Sequence, residues 1–403
     1  MIVKHSGRRS GMKRVPSPAG SQTLVMVLLT VLFSWNLAFQ APWDLHHPWP
    51  TSSERPVRPL SHPNLESRIL SINRDPSEGF RFAAFGDQRA LAGGEWQSLV
   101  QRISEVDAVD PLLFILDTGD IVDNGVHSDQ FGMLAEILRP IDHLPYLVAI
   151  GNHEVHANRD RAARENTVKF LDQLDPQFGI ERMYYRKDIG SVTFLFLDSN
   201  DFVYGEDGSA EGVLSAPFEG RIAAQWEWLN TQLRSLDPER TIVVSVHHPF
   251  LQTSKKHRPV ARNFWSFGSQ GATLPELLID HGVDLILVGH THTYERFRLR
   301  RGSREMQLVN ISGRPRDGFL WFGSGARKSK NIEGRETEWF TDRDWDLTGW
   351  EIRQEARMDS DERNQFALFE VDGAGALKMQ IAFVGRDDEA EVEWGDPVTF
   401  GSR

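Results

Sequence analysis

Apolar positions in this chain fall into short runs separated by longer amphipathic stretches. The runs at residues 81–85, 112–116, 146–150, 192–197, 242–246 and 285–288 have strand length and read as buried strands. Helical patterns lie between them at 96–106, 130–138, 223–236 and 274–281. In the third, Trp226, Leu229 and Leu233 recur at the spacing that places them on one face of a helix. This alternation predicts a layered α/β domain. Near the C-terminus, 365–371 and 377–384 flank Gly373 and Gly375 and read as a hairpin. It would complete a sheet, since so short a segment cannot bury a core of its own. The charged, Trp-rich stretch 327–363 is expected to form loops around one edge.

The first 41 residues follow a different pattern. Lys4, Arg8, Arg9, Lys13 and Arg14 occur with no acidic residue among them, and a mostly apolar run from Thr23 to Phe39 follows. Residues 1–41 therefore read as an export signal or a membrane anchor, which would make the protein exported or membrane-anchored and give it a membrane tether in the second case. Residues 42–75 are rich in Pro, His, Ser and Arg without periodicity and read as a linker, with His46, His47 and His62 as solvated linker residues. Residues 76–403 would be the domain proper, hairpin included.

A chain of 403 residues can bury a sizeable core. Its formal charge of -12 argues against nucleic acid as a partner, because neutralising a phosphate backbone takes a surplus of Lys and Arg. With no cysteine, disulfides, thiolate ligands and a cysteine nucleophile are all excluded.

The chemistry sits where the apolar runs end. Gly86-Asp87-Gln88-Arg89, Gly119-Asp120-Ile121-Val122-Asp123, Gly151-Asn152-His153-Glu154, His247-His248-Pro249 and Gly289-His290-Thr291-His292 each follow a predicted strand. Strand ends are rigid mounts, and side chains on them can converge at one sheet edge. Carboxylate, amide and imidazole are donors that suit Mn, Fe and Zn.

In these five clusters the chain resembles the calcineurin-like metallophosphoesterases, over roughly residues 80–325. Gly289-His290-Thr291-His292-Thr293-Tyr294-Glu295-Arg296 is similar to the last motif of the purple acid phosphatase branch. The resemblance implies an α/β fold of two packed mixed β-sheets flanked by helices, a four-layer sandwich. It implies two divalent or trivalent ions (Mn, Fe or Zn) bridged by Asp120, with Asp87 and His292 completing one site and Asn152, His247 and His290 the other. It further implies hydrolysis of a small phosphoester, monoester or diester, by a metal-activated hydroxide, with His153 contacting phosphate or protonating the leaving oxygen.

Two positions depart from the family pattern. Arg89 stands where a histidine is common, and arginine has no acceptor with which to bind a cation, so the first site is one ligand short. Asp123 stands where the purple acid phosphatases carry a metal-binding tyrosine, so no tyrosinate colour is expected. One reading has Asp123 help hold the first metal while Arg89 clamps a phosphate oxygen. The other makes Asp123 an acceptor outside the ligand set and Arg89 a surface ion-pair partner. The alternative to an enzyme is a non-catalytic metal- or phosphate-binding module of the same fold. His248 is expected to pack behind the site, His156 and His257 to lie in loops, Asp198-Ser199-Asn200 to line the pocket or form a turn, and Gly323-Ser324-Gly325 to make a close turn.

Overall fold

The computed structural model describes residues 62–89, 94–172, 174, 178–204, 219–253, 263–265, 268–269, 272–312, 347–359, 364–384 and 392–400. The N-terminal apolar run, His46, His47, His257 and Gly323-Ser324-Gly325 lie outside them. Among the described residues no helix is long and apolar enough to cross a membrane.

Among the described residues, two seven-stranded mixed sheets form the centre. The first contains β1 (Gly79–Phe85), β2 (Phe114–Asp117) and β3 (Tyr146–Val148), all parallel, and extends on the other side of β1 through antiparallel β13 (Asn364–Asp372) and β14 (Leu377–Val384). The second has β5 (Val192–Leu197), β6 (Thr241–Val246), β9 (Leu285–Val288) and β11 (Arg304–Ile311) as parallel neighbours, with β4 (Tyr185–Ile189) antiparallel at one edge. At its other edge, β10 (Thr293–Arg301) and β12 (Trp350–Asp359) add antiparallel pairs.

Side-chain alternation explains the layers. Phe80, Phe82 and Ala84 face the second sheet, while Ala83 and Phe85 face helices. Strands buried on both faces need apolar residues at every position, which is why they read as continuous runs. Within the first sheet Phe82 stacks on Phe369 of β13 at 4.6 Å, and across the sheet interface it meets the edge of Phe194 at 5.5 Å and 88°. On the outer face of the first sheet pack α2 (Gly94–Val109), α3 (Asp129–Ile137) and α4 (Arg161–Leu171). The second sheet is covered by α5 (Asn200–Tyr204), α6 (Gly220–Ser235) and α7 (Leu274–Asp280), with Trp226, Leu229 and Leu233 turned into that core as their spacing predicted. A separate ribbon pairs β7 (Gly268–Ser269) with β8 (Ala272–Thr273). The predicted hairpin forms as β13 and β14 and completes the first sheet.

Three expectations need revision. Within the stretch read as linker, α1 (Leu65–Ile72) forms, capped by Asn64 and held to the body by Arg68, which pairs with Asp107 at 2.6 Å and donates to the Leu112 carbonyl. Eight residues are too few for the helical period to stand out in a polar stretch. His62, expected in solvent, is buried, packs 5.3 Å from Tyr146 and bonds the Leu144 carbonyl. Part of the region expected as loops is β12, whose charged outward positions masked its strand period.

Candidate metal centre

Because β1, β2 and β3 run in parallel, as do β6 and β9, the turns after all five strands gather at one edge. Their backbones interlock within each sheet. Asp87 N–H donates to the Gly119 carbonyl and Arg89 N–H to the Asp120 carbonyl, both at 2.8 Å, while Gly289 N–H donates to the His247 carbonyl at 2.9 Å. This convergence strains the chain. Asp87, Arg89, Asp120, His290 and His292 all have φ between 55° and 74°, the left-handed region that non-glycine residues rarely occupy. Strain of this kind persists where surrounding structure over-determines it, and it marks functional sites.

Gly119 and Gly151 make the close approach possible. A Cβ on Gly119 would lie 2.7 Å from Gly151 N, and one on Gly151 would lie 2.3 Å from both the backbone nitrogen and Oδ1 of Asp120. Glu154 then ties the two turns together. Its Oε2 accepts from the N–H of Asp120 (2.9 Å) and of Gly151 (2.7 Å), and its Oε1 from that of Val122 (3.1 Å).

The donors converge on Asp120. His247 Nδ1–H donates to the Thr118 carbonyl at 2.8 Å, which leaves Nε2 facing Asp120 Oδ1 at 3.2 Å and His290 Nδ1 at 3.3 Å. His153 N–H donates to the same Asp120 oxygen at 3.1 Å. Adjacent Asn152 keeps a buried Oδ1 that has no hydrogen-bond donor among the described residues. Two imidazole nitrogens, a carboxylate and an undonated amide oxygen are what a first-row cation needs, and the donor chemistry on this side of Asp120 fits one.

The other side differs. Asp87 accepts from His290 N–H at 3.0 Å and from the Ser312 hydroxyl, which itself accepts from His292 N–H at 2.9 Å. Arg89 Nη2 lies 3.2 Å from His292 Nε2 and 3.5 Å from Asp120 Oδ2. Two groups of acidic and His donors converge within 4.8 Å among the described residues: Asp87, Asp120 and His247, and His247, His248 and His290. His292 and Asp123 belong to neither. The Asp123 carboxyl sits 3.8 Å from His153 Nδ1, the same nitrogen that bonds the Asp123 carbonyl.

Charge is poised here. Burial pushes the Asp87 carboxyl up to about 6, with Asp120 adding to the shift against the pull of His247. Burial and Asp120 likewise push Glu154 up to about 8. Burial opposes ionisation of Asp120 too, yet His247, His153 and Arg89 together hold it well below the ordinary carboxylate range. Burial alone would lower His247, but Asp120 outweighs it and raises the ring to about 9. For His153 burial wins and the pKa falls. The crowded, buried carboxyls of Asp87 and Glu154 thus hold their protons tightly here, and a bound cation would favour their ionised forms instead.

Several supporting residues gave little sequence signal. Thr118 and Ser312 act on Asp87, His247 and His292 through one carbonyl and one hydroxyl, contacts no motif announces. Ser312 follows Met306, Leu308, Val309 and Ile311, a strand pattern that could have been read. The Asp198-Ser199-Asn200 segment is buried and braces the site: Asn200 Nδ2 donates to the carbonyls of Ile150 (3.3 Å) and Gly151 (3.1 Å), and Asp198 pairs with Arg164 at 3.1 Å. Ser199 Oγ lies 2.7 Å from Nδ1 of His248, which is buried as expected. His156 is exposed in a short 3₁₀ turn.

Residues 44–294 match the family described as calcineurin-like phosphoesterase. Purple acid phosphatase 21 of Arabidopsis thaliana is 28% identical over 238 residues, which is 57% of this chain and 48% of that protein. Acid phosphatase type 7 of Homo sapiens is 25% identical over 256 residues, covering 58% of this chain and 52% of that protein. The chain spans about half the length of these curated relatives. The solved structure of purple acid phosphatase PPD1 from yellow lupin (Lupinus luteus) seeds superposes with a TM-score of 0.52 at 16% identity, covering 81% of this chain and 54% of that one, so the fold is shared. The family match spans more than half of the sequence and includes all five polar clusters now found at one sheet edge: the chain belongs to the calcineurin-like phosphoesterases.

Proposed function

We propose that this chain is a metal-dependent hydrolase of small phosphoesters, with an ion held by Asp120, Asn152, His247 and His290. The observation that carries this reading is the facing pair of ring nitrogens, His247 Nε2 and His290 Nδ1, 3.3 Å apart beside Asp120 Oδ1. Lone pairs at that separation repel unless a proton or a cation lies between them. A bound cation would lower the pKa of a water molecule and offset charge on the phosphoryl oxygens.

The remaining roles belong to side chains. Arg89 is a fixed cationic fork suited to two phosphate oxygens. His153, with Nδ1 tied to the Asp123 carbonyl, turns Nε2 into the centre, 3.7 Å from Asp120 Oδ2, where it would meet the substrate or its leaving oxygen. Glu154 and Asn200 hold the turn that carries Asn152 and His153. Asp87 and His292 are the donors that the sequence resemblance assigns to a second ion, and Mn, Fe and Zn all accept the donors of the Oδ1 side. Export or tethering of the activity rests on the basic and apolar stretches before residue 42 alone.

The test is hydrolysis of a chromogenic phosphate monoester and diester by chelator-treated protein titrated with Mn²⁺. Turnover should be absent in chelator and return with metal. Metal binding without turnover of either ester would favour the binding-module reading instead.

A further inference from the structure

We infer that the Arg89 guanidinium stands in for one of the two cations, so that this centre takes up a single ion, between Asp120, Asn152, His247 and His290. The inference rests on the metal-centre reading above. The two halves of the site are unequal. On the Oδ1 side of Asp120, the imidazole nitrogens of His247 and His290 converge 3.3 Å apart beside the carboxylate. On the Oδ2 side a permanently charged group is already in position, since arginine does not lose its proton in proteins.

The geometry is specific. Arg89 Nη2 donates toward His292 Nε2 at 3.2 Å, so it engages the nitrogen that would otherwise bind metal, and it stands 3.5 Å from Asp120 Oδ2, the oxygen that would bridge to a second ion. The side chain is only 22% exposed. Its backbone is anchored as well: Arg89 N–H donates to the Asp120 carbonyl at 2.8 Å, and its φ of 55° is fixed by the interlocked turns. Asp87 is already served by the His290 N–H and the Ser312 hydroxyl. Asp123, the available replacement ligand, is turned to His153.

A second ion would have to enter beside a fixed positive charge with one imidazole ligand fewer. Like charges in a site of low dielectric repel strongly, so the guanidinium and that ion exclude each other. Exchanging histidine for arginine at this position therefore removes a donor and adds a cation at one stroke. What remains is a mixed clamp, one metal ion and one planar fork, which would grip a phosphoryl group from two sides.

Metal content tests this without reference to turnover. Wild-type protein dialysed against saturating Mn²⁺ should retain about one ion per chain, whereas Arg89→His, which restores a donor and removes the charge, should approach the two ions of a dinuclear site. Electron paramagnetic resonance should show an isolated ion in wild type and a spin-coupled pair in Arg89→His. Thermal unfolding checks that the variant is folded. Should it not fold, Arg89→Ala removes the charge alone and should still admit a second, weaker ion. Two coupled ions in wild type would overturn the inference, as would a single ion in folded variants that lack Arg89. No ion in wild type would overturn the metal-centre reading itself, a result distinct from both.

Discussion

Gly151→Ala is the smallest change that tests how the site is built. One methyl group added at Gly151 would lie 2.3 Å from both the nitrogen and Oδ1 of Asp120 and 2.8 Å from Glu154 Oε2, where ordinary contact begins at 3.4 Å. The obstructing atoms include backbone and a carboxylate locked by hydrogen bonds, so no flexible side chain can swing away. The two turns must separate by about 1 Å, at a cost of roughly 1–3 kcal/mol or more for overpacking a well-filled interior. A misplacement of about 1 Å in a reacting constellation can reduce the rate on the order of 100-fold. Urea unfolding and Mn²⁺-dependent turnover of a chromogenic phosphate ester should therefore fall together. Gly179→Ala is the control, since a Cβ there meets nothing within 4 Å. If Gly151→Ala unfolded at the wild-type urea concentration and turned over at the wild-type rate, the claim that these turns interlock at Gly151 would be refuted.

Other consequences follow from the same contacts. Glu154→Ala removes the acceptor shared by three backbone N–H groups of the ligand-bearing turns, and calorimetry should find Mn²⁺ affinity reduced about 10–100-fold; unchanged affinity would mean the turns are held by other contacts. In chelator the protein should lose stability as pH rises. His247, with its folded pKa raised from 6.5 to about 9, stabilises fully below 6.5 and loses that contribution as pH climbs through 9. Glu154, raised from 4.5 to about 8, holds its proton more tightly in the fold, so ionisation costs stability between those values. A urea midpoint as high at pH 9 as at pH 5 would contradict both shifts. With His153 lowered below 6.5, proton donation from its ring should fade above an acidic pKa, and His153→Asn should remove that limb of the pH–rate profile. Survival of the limb in the variant would assign it to another group.

The sequence made the parts of this fold legible where a strand is buried on both faces or a helix spans several turns. The runs at 192–197 and 285–288 form strands with those bounds, and Trp226, Leu229 and Leu233 take their helical face. It was opaque where one face is charged: β4 leans on the adjacent β5, while β12 and α1 owe their places to partners far along the chain, as Arg68 does to Asp107. For the site, the residue types and their strand ends were legible, and Asp87, Asp120, Asn152, His247 and His290 do gather at one edge. Hidden were the directions of side chains. That Arg89 turns to His292, and Asp123 to His153, depends on left-handed backbone at Arg89 and on tertiary contacts that no local pattern encodes.

In the proposed function, Asp120, Asn152, His247 and His290 hold the ion on which hydrolysis depends. Crystals of the protein grown with Mn²⁺ and measured at the metal's absorption edge would test it most directly. An anomalous peak is expected within bonding distance of Asn152 Oδ1, His247 Nε2, His290 Nδ1 and Asp120 Oδ1, and it should be lost in crystals of Asn152→Ala. A peak elsewhere, or none at saturating metal, would contradict it.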